Sequence, residues 1–305
     1  MKKYLSIILF AVLFLTLAAC TGSRPQARAG MTVTDRDGET ITVPAKLEKL
    51  IVMGGGNVEI AAALGLGDKI IAVDTYSDWV PGLNDGLTLF DMLNPDAEQM
   101  VALSPDLIIL TGMMKIAGQD PLESVKEAGI CITYVPTSNS IADIKKDIAF
   151  IGSVTGTGPK ADEIVKDMET EIAAIGEAGK RVTDKKSVYF EISPAPYLYS
   201  FGRGVFLHEM IELIGAENVF GGLEDWISVQ EETAVAANPD VILTVTDYID
   251  DPVGEIMSRS GWGEITAVKN GDVYYIDANA ATLPDHNIVT ALKQMARAVY
   301  PDMFD

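Results

Sequence analysis

The chain has 305 residues, with 44 acidic against 23 basic side chains and a formal charge of -21. That balance excludes a nucleic-acid binder, because phosphate contacts need clustered Lys and Arg. Two cysteines exclude a disulfide framework, and the length leaves room for two lobes, since single cores stop growing near roughly 250 to 300 residues.

The chain opens on Lys2 and Lys3, an apolar run from Tyr4 to Ala19, and Leu17-Ala18-Ala19-Cys20. The run is shorter than the roughly 20 apolar residues of a spanning helix, and small residues precede the cysteine, which predicts an export signal over 1–19. The last four residues resemble a lipobox, which implies a diacylglyceryl group on Cys20 and a lipid anchor in the membrane. With Cys20 so used, Cys131 has no partner, and its apolar, β-branched surroundings predict an inert core thiol. Residues 20–31 carry Gly, Ser, Arg and Ala without periodicity and read as a flexible tether.

From Thr32 onward, short apolar runs alternate with helical patterns. Leu50–Met53, Ile70–Val73, Leu107–Thr111 and Cys131–Val135 read as strands of an N-terminal α/β lobe over 32–138. Residues 139–180 are charged and helix-compatible and read as a helical connector. Gly152, Gly156, Gly158 and Pro159 leave either two helices or one kinked helix there. A C-terminal α/β lobe over 181–305 repeats the alternation with strands at Val188–Ile192, Val241–Val245 and Val273–Ile276 and helices at Phe206–Ile214, Gln230–Ala237 and Asn287–Tyr300. The fold class is therefore α/β: two lobes with mainly parallel sheets, joined by one helical connector, with a cleft between them.

An internal repeat supports the two halves. Ala97–Leu110 laid on Glu231–Thr244, an offset of 134, matches at six of fourteen positions, among them Glu98/Glu232, Pro105/Pro239 and Asp106/Asp240. Each copy carries a helix-start signal: Asn94 as cap before Pro95, and Ser228 with Glu231 as a capping box.

Several strings, in this order, resemble the lipid-anchored substrate-binding proteins of ABC importers for iron-siderophores, haem and cobalamin. They are Thr34-Asp35-Arg36-Asp37-Gly38, Ala63-Leu64-Gly65-Leu66-Gly67-Asp68, Ser104-Pro105-Asp106-Leu107-Ile108, Gly202-Arg203-Gly204, Gly215-Ala216-Glu217-Asn218 and Asn238-Pro239-Asp240-Val241-Ile242. The resemblance implies a monomer that holds a small-molecule metal chelate between its lobes and delivers it to a permease and its ATPase. A ferric siderophore is favoured, then cobalamin, then haem, with no cofactor or metal held by the protein itself. It also implies that Glu98 and Glu232, one per lobe, meet arginines on the permease; helix-dipole stabilisation is the alternative use of the same charges.

In open α/β sheets ligands bind beyond the carboxyl ends of the strands. The candidates in such loops are Asn57, Tyr76, Trp79, Met113, Met114 and Lys115 in the first lobe, with Tyr197, Tyr199, Arg203, Trp226 and Tyr248 in the second. Aromatic and methionine side chains suit a flat or greasy ligand, and Arg203 suits an anionic one. Gly54-Gly55-Gly56 lacks the spacing of a nucleotide fingerprint, and close packing against a ligand or the opposite lobe is the expected use. Haem would need an axial ligand from Met53, Met113, Met114, Tyr199 or His208. His208 and His286 are the two histidines, both at expected helix starts, too few for a nitrogen-rich metal site. No Gly-x-Ser-x-Gly or His-Glu-x-x-His motif supports an exported enzyme.

Overall fold

The computed structural model describes residues 30–115 and 120–304. The expected signal segment, Cys20 and most of the tether lie outside the described residues. Among the described residues no helix is long and apolar enough to cross a membrane.

The first lobe begins with an antiparallel ribbon, β1 (Met31–Thr34) on β2 (Thr40–Val43). It continues through β3 (Leu50–Val52), α1 (Gly55–Ala63), β4 (Ile70–Asp74), β5 (Thr88–Phe90), α2 (Ala97–Leu103), β6 (Leu107–Thr111), α3 (Glu123–Glu127) and β7 (Cys131–Val135). The five strands β5-β4-β3-β6-β7 form one parallel sheet. Its central strands read as unbroken apolar runs because both faces are covered: Leu50 to Val52 and Leu107 to Leu110 are all buried.

The connector is two helices, α4 (Ile141–Thr155) and α5 (Gly158–Gly179). Ser140 caps α4 by accepting from the Asp143 N–H, and Gly156 ends it in the left-handed conformation at φ 74°. Pro159 then sits in the first turn of α5, where its missing N–H costs nothing. Gly152 brings the pair together, since a Cβ there would collide with Ala161.

The second lobe comprises β8 (Ser187–Glu191), β9 (Tyr199–Phe201), α6 (Phe206–Leu213), β10 (Glu217–Asn218), β11 (Trp226–Ser228), α7 (Glu231–Ala237), β12 (Val241–Thr244), α8 (Pro252–Ser258), α9 (Thr266–Asn270), β13 (Val273–Tyr275), α10 (Ala278–Thr282) and α11 (Ile288–Val299). Its parallel sheet has the order β10-β8-β12-β13, and β9 with β11 forms a separate antiparallel ribbon. One apolar cluster runs from Leu50 and Val58 through Ile144, Ile148 and Ile175 of the connector to Ile211, Val241 and Met295. Each lobe has a second cluster on the other face of its sheet. The continuous core makes the joint between lobes a packed solid rather than a loose linker.

The internal repeat becomes a structural device. Helices α2 and α7 each end on a left-handed residue, Ser104 at φ 51° and Asn238 at φ 44°. Pro105 and Pro239 then prevent the helix from continuing. The aspartate that follows ties down the neighbouring central strand: Asp106 accepts from the Glu48 and Lys49 N–H groups at 2.7 and 2.9 Å. Asp240 accepts from the N–H and hydroxyl of Ser187 at 2.8 and 2.7 Å.

The helix starts differ from expectation. Asp96, not Asn94, caps α2 through the Gln99 N–H, because the helix begins after Pro95 rather than on it. Ser228 closes β11, and α7 starts after Gln230 with no side-chain cap.

Candidate ligand-binding cleft

Both lobes contribute to a cleft of about 530 Å³. The first lobe supplies Gly54 to Asn57 after β3, Tyr76 and Trp79 after β4, Met92 after β5, Met113 after β6 and Val135 to Asn139 after β7. The second supplies Val205, Phe206, Trp226 and the stretch from Thr282 to Pro284. In the first lobe these are the segments that follow the carboxyl ends of the sheet strands, as the general rule for open α/β sheets requires, whereas the second lobe contributes the start of α6, the start of β11 and the end of α10. A larger hollow beside Cys131, about 960 Å³, is an open dish of first-lobe residues under β2 and touches neither the cleft nor the second lobe.

The glycines following β3 let the lobes meet. A Cβ on Gly55 would press on the Leu283 side chain, and one on Gly56 on Pro284. Gly54 holds φ 96° and donates its N–H to Asp74 Oδ2 at 2.7 Å. Asp74 is fully buried and also accepts from the Tyr76 N–H at 3.0 Å and the Ser77 hydroxyl at 2.7 Å. One carboxylate thus fixes both loops that form this wall. Tyr76 projects outward at 71% exposure, and Trp79 donates Nε1–H to the Tyr76 carbonyl at 2.7 Å. Asn57 is buried and donates to the Met53 carbonyl at 3.0 Å, so its amide braces the turn.

On the opposite wall, Trp226 stacks on Tyr199 with ring centroids 6.2 Å apart and planes 2° apart, and meets Phe201 edge-on. The β9–β11 ribbon therefore presents Trp226 from a rigid aromatic base. At the floor, Asp147 accepts from the Ser138 hydroxyl and from Arg36 Nε at 2.5 Å. Burial pushes its carboxyl above the usual range, although Ser138 and Arg36 pull the other way. Among the described residues no Lys or Arg lines the cleft.

Asn57, Tyr76, Trp79, Met113 and Trp226 are therefore brought together, and Tyr199 stands behind Trp226. Other candidates lie elsewhere. Met114 is buried in the apolar cluster of the first lobe, so of the two adjacent methionines one is core and one is exposed. Lys115 turns away to Asp37 at 2.5 Å and lies over the Tyr134 ring, because an ion pair with the ribbon loop competes with the cleft. Arg203 pairs with Glu224 at 2.6 Å beside a separate hollow that also holds His208. Tyr197 and Tyr248 are exposed but do not line the cleft. Met53 is wholly buried. Met92, Phe206 and Leu283 line the cleft without a local signal, since only the meeting of two lobes puts them there.

Glu98 and Glu232 are exposed in the first turns of α2 and α7, and neither forms an ion pair among the described residues.

The periplasmic binding protein family matches residues 50–280 of this chain. YvrC of Bacillus subtilis, a substrate-binding lipoprotein of an ABC transporter, is 32% identical over 276 residues, covering 90% of this chain and 87% of that protein. The vitamin B12-binding protein of Vibrio parahaemolyticus is 26% identical, covering 81% and 87%. The crystal structure of a periplasmic solute-binding protein from Staphylococcus epidermidis superposes with a TM-score of 0.73 at 28% identity, covering 84% of this chain and 99% of that one. With two α/β lobes, a helical joint and a cleft at their strand ends, the chain belongs to the periplasmic binding protein family, whose members are substrate-binding components of transport systems.

Proposed function

We propose that this protein is the extracytoplasmic, lipid-anchored receptor of an ABC importer, and that its ligand is a bulky metal chelate without net negative charge, a corrinoid first. The observation that carries the ligand class is the cleft wall. Tyr76, Trp79, Met92, Met113, Phe206 and Trp226 face it from both lobes, and no Lys or Arg does among the described residues. A catecholate-type ferric siderophore carries several negative charges and needs cationic partners to replace its water. The order expected from sequence is therefore revised: the ferric siderophore falls behind the corrinoid and stays in the class as an uncharged hydroxamate chelate. Similarity to a vitamin B12-binding protein supports the same order.

In this reading the protein performs no bond chemistry. Aromatic faces and thioethers take up the flat part of the chelate, and polar backbone at Gly54 to Gly56 and Thr137 to Asn139 meets its amide rim. Glu98 and Glu232 are the docking points for the permease, whose ATPase drives release of the ligand. The two exposed carboxylates stand at equivalent positions of a repeated helix, one per lobe, so the pair reports lobe spacing as well as charge.

Titrating the purified protein with cyanocobalamin, a ferric hydroxamate, a ferric catecholate and haemin tests the ligand class. Cyanocobalamin is expected to bind at micromolar concentration or below, and the catecholate not at all. Tight catecholate or haemin binding without cyanocobalamin binding would overturn the reading.

A further inference from the structure

Beside the cleft, a second meeting of the lobes has chemistry that the chelate site does not use. Asp285 and His286, in the turn before α11, face Glu59 of α1, and one donor atom from each lies within 4.8 Å of the other two. Among the described residues this is the one such group of potential metal ligands. Asp285 is fully buried. Its Oδ1 accepts from the Asn287 N–H at 2.6 Å, while Oδ2 and His286 Nδ1 have no hydrogen-bond partner, Nδ1 lying 3.8 Å from Oδ1. Glu59 is also buried and is touched by the Asn287 amide.

Two carboxylates and an imidazole are thus pressed together across the seam, and two of their buried polar atoms are unsatisfied. Such atoms are costly unless something occupies the space between them. A guanidinium or ammonium would serve, yet no Lys or Arg lines the adjoining hollow of about 430 Å³, which opens to solvent and carries a further carboxylate, Asp277. We infer that Glu59, Asp285 and His286 form a binding site for a divalent first-row transition cation that staples the first lobe to the second. Metal–oxygen and metal–nitrogen bonds of about 2.0–2.2 Å place ligand atoms roughly 3.3 Å apart, so from separations of 4.8 Å or less the trio contracts by up to about 1.5 Å per pair. The mixed carboxylate and imidazole set suits zinc, cobalt or manganese better than calcium or magnesium, which favour all-oxygen sites. The hollow supplies water for the remaining positions.

The site is separate from the chelate cleft, although Trp79 and Asn279 border both. The neighbouring contacts of Gly55 with Leu283 and Gly56 with Pro284 already hold the seam close, so the cation adds a polar clamp to an apolar one.

The test uses full-length protein in detergent, prepared without a histidine tag and stripped with chelator, then dialysed against Co(II), Zn(II) or Mn(II) singly. The expected result is one equivalent of Co(II) with visible d–d bands, displaced by Zn(II), and a raised thermal midpoint. Glu59→Gln and His286→Asn should each weaken Co(II) binding by at least about 100-fold while the folded spectrum is retained. Asp285→Asn serves as a third variant because its burial makes it the one most prone to misfold. Absence of stoichiometric Co(II), Zn(II) and Mn(II) binding, or binding unchanged in Glu59→Gln and His286→Asn, would overturn the inference and leave a shared proton as the occupant of the seam.

Discussion

Asp74 in the first lobe and Glu191 in the second are both fully buried carboxylates at the carboxyl end of a sheet strand. The first lobe satisfies its carboxylate with neutral donors, the Gly54 and Tyr76 N–H groups and the Ser77 hydroxyl. The second uses the fork of Arg259, whose two terminal nitrogens reach Glu191 at 2.6 and 2.8 Å while Glu255 holds the same guanidinium. Burial pushes the Glu191 carboxyl up, and the guanidinium only partly offsets this. Burial alone would lower Arg259, but its hydrogen bonds to Glu191 and Glu255 hold it above its ordinary value. The difference follows from use. Asp74 organises loops that line the ligand cleft, whereas the Arg259 pair, lying over Trp262, braces the interior of the lobe away from it.

The proposed equivalence of the lobes is tested with the largest expected effect at the permease. Glu98→Lys with Glu232→Lys should abolish uptake in whole cells while the purified protein binds ligand as before, and each single reversal should cause a partial loss. Normal uptake by the double variant would remove the docking role.

Next in size is the asymmetry of the two buried carboxylates. Arg259→Leu strands Glu191 without its counter-charge and should cost about 3–5 kcal/mol in denaturant unfolding. Asp74→Ala orphans neutral donors that water can reach through the cleft and should cost about 1–3 kcal/mol. Equal losses would mean that the neutral and charged solutions are equivalent.

The repeated helix ends sharpen the comparison further. Ser104→Gly relieves a left-handed non-glycine residue and should stabilise by about 0.5–1 kcal/mol. Asn238→Gly should yield no gain, because Asn238 Oδ1 also accepts from the N–H and hydroxyl of Thr266 at 2.9 and 3.2 Å. Thermal unfolding of the pair distinguishes them.

The smallest effect concerns Cys131, whose thiol burial raises to about 11, with Asp35 adding to the shift. Iodoacetamide at pH 8 should leave it essentially unmodified, since about one thiol in a thousand is ionised there. The alkylation rate should rise about tenfold per pH unit up to pH 10. Rapid modification at pH 8 would show a more open first lobe.

The strands and the duplicated architecture were legible in the sequence because central strands covered on both faces leave unbroken apolar runs, as at Leu107 to Leu110. The Pro-Asp repeat was visible as letters, but its purpose as a strand clamp needed the distances at Asp106 and Asp240. The β1–β2 and β9–β11 ribbons escaped because strands of three or four residues are too short to show a periodicity. Site residues divided by the range of their interactions. Trp79 and Met113 turned out to line the cleft from loops, and Trp226 from strand β11. Lys115 did not, because its partner Asp37 lies 78 residues away. Leu283 and Phe206 carry no signal at all until the lobes meet.

The central claim is that one ligand is gripped by aromatic walls from opposite lobes. Isothermal titration of Trp79→Ala and Trp226→Ala with cyanocobalamin tests it most directly, because the two residues line the cleft from different lobes. Each substitution is predicted to weaken binding by about 10-fold or more, in keeping with the roughly 1.5–3 kcal/mol that a buried aromatic contact contributes. Wild-type affinity in either variant would contradict a ligand held between the lobes.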